Sequence, residues 1–115
     1  RGAMDDATER SLLEAARLFK KARRRIAFTG AGISVESGIP PFRGEGGIWG
    51  RHDPSLLELS RFLSDPEASW RAIRAIFYEK TAGALPNAAH RVLAAWERDG
   101  LLELVVTQNI DGLHR

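Results

Sequence analysis

A short apolar stretch, Ile26-Ala27-Phe28-Thr29, runs directly into Gly30-Ala31-Gly32, and this junction constrains the fold more than any other part of the chain. The stretch reads as a buried strand. Two glycines spaced by one residue let the backbone turn sharply and come close to a pyrophosphate, with N–H groups aimed at its oxygens and no β-carbon in the way. The same spacing suits a plain steric turn after a strand, so the pair alone decides nothing. The usual dinucleotide fingerprint needs a third glycine where this chain has Val35, and an acidic residue closing a second strand about twenty residues on, which is missing. A hydride-transferring enzyme is therefore disfavoured. The continuation Gly38-Ile39-Pro40-Pro41-Phe42-Arg43-Gly44-Glu45-Gly46-Gly47 forbids a long helix and predicts a mobile loop whose ring and guanidinium can close over a ligand.

A second strand candidate, Leu101-Leu102-Glu103-Leu104-Val105-Val106, is followed by Thr107-Gln108-Asn109-Ile110-Asp111. Open α/β sheets place ligands at the carboxyl ends of their strands, and two amides and a carboxylate there form a dense donor and acceptor set. A polar turn capping a following helix, with Asn109 or Asp111 as N-cap, is the alternative. Parallel strands need a crossover, and residues 30–101 make a very long one, so the other strands of such a sheet must come from sequence beyond these residues. The chain reads as an amino-terminal fragment whose end at Arg115 is consistent with a trypsin-like cut, disorder or a deliberate truncation. Arg1-Gly2-Ala3 reads as an expression remnant ahead of a start methionine, Met4.

Between these landmarks the pattern is helical. Residues 6–24 predict an amphipathic helix with Leu12, Ala15, Ala16, Phe19 and Ala22 on one face and Ser11 and Glu14 spaced as a capping box. Its basic end (Lys20, Lys21, Arg23, Arg24, Arg25) suits a helix carboxyl terminus, and with a net charge of only +2 a nucleic-acid partner is not expected. Asp53-Pro54 and Asp65-Pro66 each predict a helix start. The second of these helices would bury Trp70, Ile73, Ile76 and Phe77 and end at Gly83. A further helix, Asn87 to Asp99, would bury Val92, Leu93 and Trp96 and stop at Gly100. His90 has no Cys, His or acidic residue three or four positions away and reads as packed or hydrogen-bonded rather than as a metal ligand. His52 reads as exposed, and His114 has no visible partner.

With 115 residues, 43% of them hydrophobic, the chain suits one small domain. It has no cysteine and no apolar stretch long enough for a signal or a membrane span, so a soluble, cytoplasmic or nuclear-type protein is expected. Its parts divide as 1–4 (remnant and Met), 5–44 (helix, strand and glycine turn), 45–85 (loop and helical insertion) and 86–115 (helix, strand and polar motif).

Taken together, Gly30 to Gly44, Pro86-Asn87-Ala88-Ala89-His90 and Thr107-Gln108-Asn109-Ile110-Asp111-Gly112-Leu113-His114 give the chain a close resemblance to the sirtuins, NAD-dependent protein-lysine deacylases. The resemblance covers most of the chain after residue 25. It implies part of a Rossmann-like parallel sheet with a helical insertion, NAD as co-substrate, and an acyl-lysine protein or peptide as substrate. By similarity Ala31, Gly32 and Ser34 hold phosphate, Gln108 and Asn109 orient the nicotinamide ribose, and Ile39 and Asp111 grip the carboxamide. Phe42 shields the reacting face and Arg43 contacts the cofactor, with Gly30, Ser37, Trp49 and Ile110 completing the cofactor-binding set and Asn109 and Asp111 standing as catalytic. The family's histidine base and its four-cysteine zinc module follow the third motif, so the resemblance places both in the parent beyond Arg115 and leaves residues 1–115 inactive alone. Acyl-carboxylate-preferring sirtuins carry Tyr-x-x-Arg, whereas this chain reads Tyr78-Glu79-Lys80-Thr81, which implies an apolar acyl pocket. An NAD-cleaving hydrolase or ADP-ribosyltransferase, or a noncatalytic module binding NAD or ADP-ribose, remain the rival classes.

Overall fold

The computed structural model describes residues 4–115, so the reading of Arg1-Gly2-Ala3 lies outside the described residues. Helix α1 spans Asp6–Lys21 and starts at Asp5, whose side chain accepts a hydrogen bond from the Thr8 N–H at 2.7 Å. The predicted Ser11 capping box does not form, because Ser11 lies inside the helix and its hydroxyl donates to the Ala7 carbonyl at 2.9 Å. The helix is also shorter than 6–24, since the backbone turns extended at Ala22. Beyond it the basic run joins distant segments. Arg25 donates to the carbonyls of Ala22 and Leu101 and lies 5.0 Å above the Phe19 ring, while Arg24 makes a two-pronged pair with Glu103. These cations fasten α1 to the second strand.

Strands β1 (Ile26–Thr29) and β2 (Leu104–Thr107) form a two-stranded parallel sheet in the register Ile26↔Leu104, Ala27↔Val105, Phe28↔Val106, Thr29↔Thr107. The pairing continues past both ends, with the Glu103 N–H donating to the Arg25 carbonyl and the Gln108 N–H to the Thr29 carbonyl. β2 begins three residues later than the apolar run, because Leu101 and Leu102 close the preceding helix by donating to the Trp96 carbonyl. That turn passes through Gly100 at φ 73°, a left-handed conformation that favours glycine. The expectation of a buried β1 is only half met. Ile26 (59% exposed) and Phe28 (68%) share a face with Leu104 and Val106, and none of the described residues covers it.

The crossover between the strands holds everything else. A 3-10 helix, Ala31–Ser37, follows β1, and a looped segment leads to 3-10 turns at Ile48–Gly50 and Pro54–Leu57. Helices α2 (Leu59–Ser64) and α3 (Pro66–Ile73) come next, and a five-residue π-helical turn, Arg74–Tyr78, runs into α4 (Glu79–Thr81). Asp53 and Asp65 cap as their sequence predicts, accepting from Ser55 and Ala68. Helix α5 (Ala88–Arg98) then delivers the chain to β2. Ile76 is buried in this insertion, but Trp70 is 59% exposed and only edges against Phe62. Val92 and Trp96 are likewise more open than predicted, although Trp96 meets Phe19 with ring centres 5.1 Å apart. The mispredicted side chains share one cause, faces that the described residues cover only in part. The radius of gyration, 17.9 Å, exceeds the roughly 13 Å of a compact domain of this length.

Ser69, buried in α3, has a hydroxyl with no hydrogen-bond partner among the described residues. Replacing Ser69 with Ala removes an unmet polar group, and urea unfolding of the full-length protein should show stability unchanged or raised by up to ~1 kcal/mol. A clear loss would mean that the hydroxyl is bonded.

Candidate functional site

The ladder step from Gln108 N–H to the Thr29 carbonyl places the two sequence motifs side by side at the carboxyl edge of the sheet. Gly30 lies under Gln108, and a β-carbon at Gly30 would stand 3.1 Å from the Gln108 Nε2. One residue further, the Asn109 side chain crosses to the first motif and donates to the Gly30 carbonyl at 2.9 Å. The backbone N–H of Asn109 is held locally by the Thr107 hydroxyl at 3.1 Å. The amide of Asn109 also points a hydrogen at Ser34 Oγ, 3.5 Å away, and its side-chain carbonyl accepts nothing from the described residues.

Ser34 is the meeting point. It is fully buried in the 3-10 helix, and its hydroxyl donates to Asp111 Oδ2 at 2.6 Å. The other carboxylate oxygen of Asp111 accepts the Leu113 N–H at 2.9 Å. Asp111 thus makes a local turn, as an Asx residue does, and no helix starts there. Behind Ser34 lies His90, 2% exposed, with Nε2 3.5 Å from Ser34 Oγ. The His90 Nδ1 accepts the Asn87 N–H at 3.3 Å, and Asn87 Oδ1 accepts from Ala89 and His90, closing a capping box at the start of α5. Asn87 also donates to the Ile33 carbonyl (2.7 Å) and to Ser37 Oγ (3.0 Å), so a single cap residue ties α5 to the glycine turn. His114, expected to lack a partner, has its Nε2 2.9 Å from Thr29 Oγ1 and its ring centre 4.8 Å from that of His90. His52 is half-buried rather than exposed.

The predicted loop is folded back on itself. Ile48 N–H donates to the Pro41 carbonyl at 2.8 Å and Trp49 N–H to the Phe42 carbonyl at 3.0 Å, while Phe42 stacks on Trp49 with ring centres 5.7 Å apart. Gly47 is required by close approach, since a β-carbon there would stand 2.9 Å from the Arg43 carbonyl carbon.

These elements enclose a cavity of about 240 Å3. Ala31, Ser34, Ile39, Phe42, Gln108, Asn109, Ile110 and Asp111 line it, all singled out by the sequence. Of the remaining candidates, Gly30 lies beneath Gln108, Ser37 faces Asn87, Trp49 backs Phe42, and Gly32 and Arg43 are exposed outside the lining. Sequence reading missed Pro40, Ile48 and Thr81 as wall residues, and took Ile76 and Phe77 as buried helix residues without placing them here. Their helical spacing showed a shared face but not what it faced. It also missed the Asn87–His90 box, which the sequence Asn87-Ala88-Ala89-His90 signals only when His is admitted at a position usually held by Glu or Gln.

His90 titrates below its ordinary range, first because burial disfavours the imidazolium, then because of His114 and Arg91, with Asp111 opposing. A folded-state value below the unfolded 6.5 means that the unfolded chain binds the extra proton, so stability is present above pH 6.5 and lost as pH falls through the folded value. Thermal unfolding of the full-length protein between pH 7.5 and about 5 should therefore decline more steeply for wild type than for His90→Asn. Parallel profiles would mean that His90 titrates normally.

The Sir2 family model matches residues 30–115. An NAD-dependent protein deacylase of Aeropyrum pernix is 49% identical over 108 residues, covering 89% of this chain and 42% of that protein. An NAD-dependent protein deacetylase of Haloarcula marismortui is 47% identical over 117 residues, covering 99% and 45%. The chain thus spans less than half the length of these relatives. A solved Sir2 structure with a deacetylated p53 peptide and 3'-O-acetyl ADP-ribose superposes with a TM-score of 0.83 at 41% identity, over 90% of this chain and 42% of that one.

Proposed function

The chain belongs to the Sir2 family, and from that premise we propose that its parent protein is an NAD-dependent protein-lysine deacylase that releases nicotinamide and passes the acyl group to ADP-ribose. The supporting observation is the cavity in which the glycine turn and the Gln108–Asp111 segment meet through the Ser34–Asp111 bond.

The chain's own residues fit NAD. Gly32 has no positive φ, and a β-carbon there would touch nothing within 4 Å among the described residues, so neither backbone conformation nor packing against those residues calls for glycine. Space for a closely approaching phosphate is the remaining reason. Asn109 has both amide hydrogens directed at Gly30 and Ser34, which leaves its carbonyl oxygen to accept from a ribose hydroxyl. Asp111, acceptor-only when ionised and held by two donors, can take an N–H of a carboxamide, with Ile39 beside it. Phe42, braced by Trp49 and by Phe77 at 6.0 Å, forms an apolar cover that excludes water from the reacting face, and exposed Arg43 follows it in the loop. Bound NAD supplies a ribose carbon that becomes electrophilic as nicotinamide departs. Holding ribose at Asn109 and carboxamide at Asp111, on one segment braced against the glycine turn, orients that bond for attack by an acyl oxygen.

The general base is not among these residues on this reading. His90 is buried against Ser34, His114 meets Thr29, and His52 does not line the cavity. A zinc module on four cysteines does not fit this chain, which has none. Both belong to the rest of the parent, which would also cover the apolar face of β1 and β2, and residues 1–115 alone are inactive. For the acyl group, Thr81 stands where the Tyr-x-x-Arg pattern has arginine. Its hydroxyl is bonded to the Phe77 carbonyl at 2.9 Å, so no cation meets an acyl carboxylate from that position.

Full-length protein given NAD and an acetyl-lysine peptide should yield nicotinamide and O-acetyl-ADP-ribose, while residues 1–115 yield neither. Free ADP-ribose with the peptide still acetylated would favour the hydrolase reading, and NAD binding without nicotinamide release a sensing module. Gly32→Ala should abolish most NAD binding yet leave stability unchanged or higher by ~0.4–1 kcal/mol. An unfolded variant would assign Gly32 to the fold instead. Acetyl-lysine should be turned over at least about ten-fold faster than succinyl-lysine, which lacks a guanidinium partner here; the reverse order would overturn the apolar pocket.

A further inference from the structure

We propose that His90 is a positioning residue for the carboxamide pocket: as the neutral tautomer protonated on Nε2, it keeps the Ser34 hydroxyl turned onto Asp111 and so sets the plane of that carboxylate. The inference rests on the deacylase reading and deepens it.

Two independent constraints select the same tautomer. From one side, Asn87 N–H donates to His90 Nδ1 at 3.3 Å, so Nδ1 carries a lone pair. From the other, Ser34 has a single hydrogen, and the 2.6 Å bond to Asp111, an oxygen that can only accept, takes it. Ser34 Oγ then offers only lone pairs to its two remaining neighbours, His90 Nε2 and the Asn109 amide, each 3.5 Å away. An imidazole with its lone pair at Nε2 would compete for the serine hydrogen and draw it off the carboxylate. With the proton on Nε2, every polar atom around this buried hydroxyl has one compatible role.

The consequence reaches the pocket through Asp111. Its Oδ1 is held by a neighbour two residues away, Leu113, which cannot report on the rest of the site. Its Oδ2 is held by Ser34, which sits on a different segment and is backed by α5 through His90. Both bonds are needed to fix the carboxylate plane, and only the second carries information from the α5 cap to the cavity. His90 itself is buried and does not line the cavity, so it acts through Ser34 and Asp111 rather than on a ligand.

Two substitutions separate this role from helix capping. His90→Asn keeps an acceptor near the Nδ1 position for Asn87 but supplies no donor to Ser34. His90→Gln places an amide N–H near the Nε2 position but offers nothing at Nδ1. In the full-length enzyme, His90→Asn should weaken nicotinamide inhibition and raise the KM for NAD about five-fold, the scale of one neutral hydrogen bond, with kcat changed less. His90→Gln should keep near wild-type nicotinamide sensitivity while losing more thermal stability than His90→Asn. Imidazole nitrogen NMR of the wild-type protein should place the His90 proton on Nε2, a readout that does not depend on either variant folding. A proton on Nδ1, or nicotinamide sensitivity that follows thermal stability in both variants, would overturn the inference and leave the deacylase reading in place. A wild-type enzyme that releases no nicotinamide from NAD would overturn that reading, and the positioning role with it.

Discussion

The parallel pairing of Ile26–Thr29 with Leu104–Thr107 is the constraint on which the rest of the structure depends. Side chains alternate along a strand, so a one-residue slip would put Thr29 and Thr107 on opposite faces of the sheet and carry Asn109 away from Gly30. The register is held at both ends by bonds outside the strands proper, Glu103 to Arg25 and Gln108 to Thr29. The two-pronged Arg24–Glu103 pair adds a third tie. Being solvent-exposed, it contributes alignment more than stability.

From that register the site assembles by short reaches. Asn109 crosses to Gly30, Ser34 to Asp111, and Asn87 to Ile33 and Ser37. Each is a polar side chain bridging segments fifty or more residues apart in sequence. Shielded from water, such bonds hold geometry well only when every partner is satisfied. Ser34 meets that condition, with its one hydrogen and its lone pairs all facing compatible groups. The opposite wall, formed by Ile48, Ile76 and Phe77 with Phe42 as cover, contributes shape and dryness instead of polar contacts.

The parts legible in the sequence were those with local causes. Asp53 and Asp65 ahead of proline marked helix starts, glycine at position 100 marked a stop, and the glycine turn and polar motif marked the two strand ends. Reading failed where a residue's environment came from elsewhere. Ser11 looked like a cap but lay within a helix already capped by Asp5, and Trp70 and Val92 looked like core but are left largely uncovered by the described residues. His114 looked partnerless because Thr29 is 85 positions away.

The sequence by itself determined the kinds of element, the donors at each strand end and the family to which they belong, because backbone propensity, capping and motif spacing act over a few residues. Only the tertiary structure decided which polar atoms meet. That Ser34 bonds Asp111 and backs onto His90, and that Gly32 has open space while Gly30 lies under Gln108, follows from strand register and helix docking. Those are long-range geometric facts, and no local pattern of residue types carries them.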